Sequence, residues 1–185
     1  MSGWLRPSGE RIQPVALIAL HSRHGDLERL YRFFEEWEVW TAEILESHVS
    51  YPMLAYFRSQ HAGQSWVTAL GVVLDAASLT AACVHGAEHQ EPYLMYRRGR
   101  RAVEEISLRL QGAAYGQELA ESWLNRELFE IAYGRLQHMD LPLRDVDDAW
   151  VRLQRLRTVY GVQLQSLIDY LVAPAGFWGH SAELP

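Results

Sequence analysis

The stretch WVTALGVVLDAASLTAACV, residues 66–84, decides the fold. It is long enough to cross a bilayer and carries almost no charge, so length alone makes it a membrane candidate. Asp75 stands at its midpoint. An aspartate at the centre of a membrane helix costs about 2.5–3.5 kcal/mol on insertion scales, and the surrounding Ala, Ser, Thr and Gly return only a small part of that. The balance favours a helix buried inside a soluble bundle. Ala69, Gly71, Ala76, Ala77 and Ala81 are small enough to let neighbouring helices come close.

Outward from this stretch the periodicity is helical, and no series of alternating strands with hairpin turns interrupts it. An all-α fold is expected: an antiparallel bundle of five to six helices in one domain over residues 26–174, with an N-terminal arm over 1–25 and a C-terminal tail over 175–185. Upstream, Asp26 precedes Leu27, Leu30, Phe34, Trp37 and Ile44, which form one stripe of a long helix with Glu28, Glu35, Glu38 and Glu46 on the remaining surface. Ser50-Tyr51-Pro52 should end that helix and open a short one through Arg58, because proline disfavours helical geometry in the residue before it and suits a first turn.

Downstream, His85 to Pro92 leaves the buried helix. A helix over 94–114 then sets Val103, Ile106, Leu110 and Ala113 on one face, with Arg97, Arg98, Arg100 and Arg101 near its start. Ser122 or Asn125 can cap the next, through Leu128, Ile131, Ala132 and Leu136. A last long helix carries Trp150, Leu153, Arg157, Tyr160, Leu164, Leu167 and Leu171 at steps of three and four, after the acidic start Asp145, Asp147 and Asp148 and before Pro174. Val15 to Leu20 is apolar but far too short to span a bilayer.

Composition narrows the chemistry. With 17 basic against 23 acidic residues and a formal net charge of -6, a general nucleic-acid coat is excluded and no nucleic-acid partner is expected. Every basic residue is arginine, which removes Schiff-base and phosphate-loop lysine mechanisms. A single cysteine, Cys83, excludes an internal disulfide and suggests a reduced, cytoplasmic chain. Met1 to Ile12 has no long apolar core, so neither a secretory signal nor a membrane anchor is expected there, and the chain should have no direct membrane span.

The motifs give no complete catalytic constellation. There is no Gly-x-Ser-x-Gly elbow and no Gly-rich phosphate loop. No histidine follows a glutamate at the Glu-x-x-His spacing that a di-iron bundle requires. His85-Gly86-Ala87-Glu88-His89 matches the His-x-x-Glu-His pattern of some zinc peptidases, in which two histidines on a rigid helix hold the metal and the glutamate activates water. Gly86 and Glu91-Pro92 work against such a helix, so His85, Glu88 and His89 are weak metal candidates and no cofactor is expected. The arginines at 97–101 can hold a phosphate or lipid headgroup, or pair with Glu104 and Glu105 as a solvated helix start.

Residues 37–75 are the richest. Glu43, His48, Arg58 and Asp75 stand in or beside strongly apolar stretches, and buried charges are rare unless paired. With Tyr51 they form a candidate cluster, a structural salt bridge or a ligand site, in which Asp75 would pair with Arg58 or His48. His48, with no second histidine fixed near it, reads as a hydrogen-bonded structural residue.

Glu46-Ser47-His48, Ser50-Tyr51-Pro52, Tyr56-Phe57-Arg58-Ser59-Gln60-His61 and Gln64-Ser65-Trp66 together resemble the soluble segment that follows the pore in bacterial two-transmembrane potassium-channel-like proteins. Asp148-Ala149-Trp150, Arg157, Tyr160 and Ala173-Pro174 with Trp178 resemble the end of that segment. This chain carries no paired membrane helices and no Thr-x-Gly-Tyr-Gly filter, so it cannot itself conduct. The resemblance implies a cytosolic, non-catalytic helical module that binds a ligand, a second copy of itself or another protein, a membrane channel-like protein among them. The alternative is a small metal-dependent enzyme built on a His/carboxylate cluster. Seven Trp and nine Tyr, with Trp4, Trp123 and Trp178 near helix ends or termini, lead to the expectation of a homodimer.

Overall fold

In the computed structural model, which describes residues 13–22, 25–56, 65–112 and 124–173, the apolar stretch is helix α3 (Trp66–Cys83). Every residue of α3 from Leu70 to Cys83 is buried, so the helix shows no solvent side along that length. Among the described residues it is the one helix long and apolar enough to cross a membrane, and here other helices wall it in. Those walls are α1 (Pro14–His21), α2 (Leu27–Ser50), α4 (Glu91–Gln111), α6 (Val146–Thr158) and α7 (Gly161–Tyr170), with α5 (Arg126–Gln137) packed on α1 and α6.

The described residues form an all-α fold with seven helices and no strand. One isolated antiparallel bridge, Val84 to Leu143, ties the end of α3 to the α5–α6 connection, with His85 N–H donating to Pro142 O and Arg144 N–H to Cys83 O, each at 2.8 Å. Glu38 meets Arg98, and seven residues earlier on each helix Tyr31 lies within electrostatic reach of Glu91, so α2 and α4 run in the same direction. At the α3–α4 crossing, a methyl group on Gly99 would fall 2.9 Å from Leu74 Cδ1, so only glycine permits this approach without displacing Leu74.

The termini of the helices follow their capping residues. Asp26 accepts from Arg29 N–H at 3.1 Å, Asn125 from Leu128 N–H at 2.8 Å, and Asp145 from Asp147 N–H at 2.9 Å, each satisfying an otherwise orphaned first-turn donor. Helix α2 ends at Ser50 and Pro52–Tyr56 forms one 3₁₀ turn. Arg58, to which the short helix was expected to extend, lies outside the described residues, as do Ser122 and Pro174. Helix α4 starts at Glu91, ahead of the expected 94, because Pro92 fits a first turn whose N–H groups have no helical partner anyway.

Two elements depart from expectation. The supposed arm over 1–25 contains α1, whose Val15, Leu17 and Ile18 are buried in the core. At eight residues the helix is too short to show a stripe, and its composition is apolar all round. The expected single last helix is two, α6 and α7, broken at Val159 and Tyr160. At the break the Tyr160 ring lies inward, its hydroxyl bonded to Asp75 and its ring 5.5 Å from the Arg157 guanidinium.

Candidate functional site

The strongest polar constellation is built across α3, α6 and the start of α7. Asp75 is 0% exposed and Arg157 is 2% exposed. Arg157 Nε donates to Asp75 Oδ1 at 2.6 Å, and the Tyr160 hydroxyl donates to the same oxygen at 2.6 Å. Ser78 Oγ, one turn beyond Asp75, lies 3.0 Å from the Tyr160 oxygen and donates to Leu74 O at 2.8 Å. Bonds of this length to an ionised carboxylate are charge-assisted and about twice as strong as neutral ones.

Burial, and then the neighbouring Asp75 charge, push the Tyr160 hydroxyl well above its ordinary range, so it remains a donor at any physiological pH. The Arg157 guanidinium also lies 5.5 Å from the Tyr160 ring centroid, and the Tyr96 ring meets that of Tyr160 edge-on at 6.1 Å. One carboxylate thus holds α3 to the α6–α7 turn. Arg157 and Tyr160 read in the sequence as members of an apolar stripe; the signal of their role was an arginine at a core-facing position of that stripe.

Of the cluster expected from residues 37–75, the described members Glu43, His48 and Tyr51 do not gather around Asp75. Glu43 is exposed on α2, and Tyr51, past its end, is 68% exposed. His48 is buried but meets its own helix: its Nδ1–H donates to Ile44 O at 2.8 Å, with Ser47 Oγ at 3.2 Å, and its ring lies 4.5 Å from that of Trp66. The Asp75–His48 pairing is therefore corrected to Asp75–Arg157–Tyr160. Trp66 begins α3 and Asp75 is nine residues on, which at 1.5 Å per residue sets them about 13 Å apart along the helix, out of reach of an imidazole. The alternative partner Arg58 lies outside the described residues.

The His85–His89 motif does not form the rigid helix a peptidase needs. Gly86 takes a positive φ of 82° between His85 and a 3₁₀ turn at Ala87–His89. Glu88 forms an ion pair with the largely buried Arg144, whose Nη1 stands 3.4 Å from His85 Nδ1; the side chain of His89 lies outside what is described. Among the described residues no three His, Cys, Asp or Glu side chains gather into a group that could hold a metal ion. Burial pushes the Cys83 thiol up to about 12, so it carries no thiolate at neutral pH. In the basic cluster, Arg98 pairs with Glu38 at 3.0 Å and Arg101 with Glu105 at 2.6 Å.

His48 makes the fold sensitive to acid. Its Nε2 is buried without a hydrogen-bond partner, and burial holds the imidazole below its ordinary value of 6.5. Protonation would place a second N–H where nothing accepts it. The unfolded chain therefore takes up this proton first, so stability is full above about pH 6.5 and falls as pH drops toward the lowered folded value. Urea midpoints should decline between about pH 7 and pH 5, and His48→Gln should flatten part of that slope, the half-buried His21, lowered by burial and then by the Arg29 charge, contributing in the same direction. An unchanged slope in His48→Gln would show that His48 does not titrate on unfolding. No protein-family model, no curated protein and no solved structure matches the chain.

Proposed function

We propose that this chain is a non-catalytic, cytoplasmic helical module for regulation, ligand sensing or protein–protein assembly, with assembly as its main mode. The observation that carries the reading is the fate of Asp75. Asp75, Arg157 and Tyr160 lie at 0–2% exposure and bond to one another across three helices, so the most deeply buried of the charged groups serve the packing of the bundle. An acid–base or nucleophilic mechanism needs such groups within hydrogen-bond reach of a reacting atom. The resemblance to the soluble segment of potassium-channel-like proteins supports the same reading, with a membrane channel-like protein as one partner.

Elemental analysis of protein purified without an affinity tag tests it, alongside His48→Ala and the double change His85→Ala, His89→Ala. No near-stoichiometric metal is expected in any sample. Zinc or iron near one atom per chain, lost on either variant, would replace this reading with a small metal-dependent enzyme.

A further inference from the structure

Helix α4 has two faces. Met95, Tyr96, Gly99, Ala102, Val103 and Ile106 are buried against the rest of the bundle. The opposite face presents Leu94, Arg97, Arg98, Arg101, Glu104, Glu105 and Leu108, at the repeating three- and four-residue steps of a helix-pairing seam. Leu94 is 43% exposed and Leu108 is 56% exposed, fourteen residues apart, with Arg101 midway between them. The charges along this seam are segregated: arginines fill the N-terminal half and glutamates follow in the C-terminal half.

We propose that this face of α4 pairs with the same face of a second copy of the chain, antiparallel, across a two-fold axis close to Arg101. The proposal rests on the assembly reading above and names its partner. A two-fold contact sets residue i opposite j and j opposite i. With the axis close to residue 101, Leu94 of each copy lies opposite Leu108 of the other; Arg97 and Glu104, seven residues apart on one flank of the seam, meet across the contact to within one residue's rise of about 1.5 Å, as do Arg98 and Glu105 on the other flank. Both ends of the seam then match in charge and in apolar surface. Parallel pairing would set arginine against arginine, so the charge order itself selects the direction.

Arg101, on the axis, carries its own counter-charge in Glu105 at 2.6 Å, and Arg98 carries Glu38. Among the described residues Arg97 and Glu104 belong to no ion pair and face outward, which leaves them available across the contact. The surface at Tyr51, Met53 and Tyr56 is more apolar, but nothing in it selects an occupant.

The test is light scattering at micromolar concentration on the unmodified chain, on Arg97→Glu and on Glu104→Arg. The unmodified chain should show twice the 21.3 kDa of one chain. Each variant reverses both symmetry-related contacts without removing an intrachain ion pair, so each alone should dissociate at least about tenfold more readily. An equimolar mixture of the two variants should recover the two-chain mass. In the mixed pair the introduced glutamate of one chain meets the introduced arginine of the other, and at the symmetry-related contact the retained Arg97 meets the retained Glu104. Helical circular dichroism of each variant, unchanged from the parent, separates lost pairing from lost folding; should either variant unfold, Leu108→Asp replaces it and should give a one-chain mass.

A one-chain mass for the unmodified protein overturns the proposal, as do variants that remain dimeric and a mixture that does not recover. Those outcomes leave the metal analysis to decide the broader reading by itself.

Discussion

Asp75→Ala should lower the free energy of unfolding by about 3–5 kcal/mol, the range seen when one partner of a buried ion pair is removed. The guanidinium of Arg157 would remain in the core without the carboxylate that its Nε meets at 2.6 Å, and the Tyr160 hydroxyl would lose the same acceptor. Arg157→Ala should cost a similar amount for the mirrored reason. The two losses should not add, because both break one contact, and a double-mutant cycle would give the coupling directly. Replacing the pair together with apolar residues, Asp75→Leu with Arg157→Met, should restore much of the stability, since a buried ion pair repays its desolvation only in part. Urea unfolding followed by circular dichroism measures all four. A shift below about 0.5 kcal/mol in Asp75→Ala, the scale of surface substitutions, would mean that the carboxylate is not held in the core.

Ile18→Ala is the second large effect, at about 2–5 kcal/mol, the usual cost of truncating a core isoleucine to alanine. Ile18 is 0% exposed and sits on α1, beside Leu17 at 1%. The same unfolding experiment decides whether residues 14–21 belong to the cooperative core. Were they a dispensable arm, the midpoint would hardly move.

The parts of the fold legible in the sequence were those with a local cause. The start of α2 at Asp26, its end at Ser50 before Pro52 and the acidic entry to α6 are settled by residues within one turn of the boundary, whereas Ser122 and Asn125 both suit the cap of α5 and the structure selects Asn125. The buried character of α3 followed from a polar residue placed where a membrane would reject it. What was hidden depends on distance along the chain. Asp75 finds its partner 82 residues away, and no spacing rule reaches that far.

His48 is the nearer candidate because it shares the same stretch of sequence, yet it bonds to its own helix at Ile44. The break between α6 and α7 was concealed by an apolar repeat that runs through it without a fault, since Arg157 and Tyr160 serve the core on both sides of the turn. Helix α1 was missed for the opposite reason: a short run, apolar throughout, has no periodicity to read.

The all-sided burial of α3 has a consequence during synthesis. The chain leaves the ribosome from its N-terminus, so α3 is complete long before α6 exists, and at roughly 5–20 residues per second the 82 residues from Asp75 to Arg157 take about 4–16 s. For that interval an apolar helix of membrane-crossing length waits without its closing wall. A message cut short before α6, or a chain stalled there, would leave the same helix exposed indefinitely and make it a substrate for chaperones or for the nearest lipid surface. The C-terminal third of the sequence thus acts as the stopper of the fold, and the walls of α3 are complete only once the chain has been read through α7.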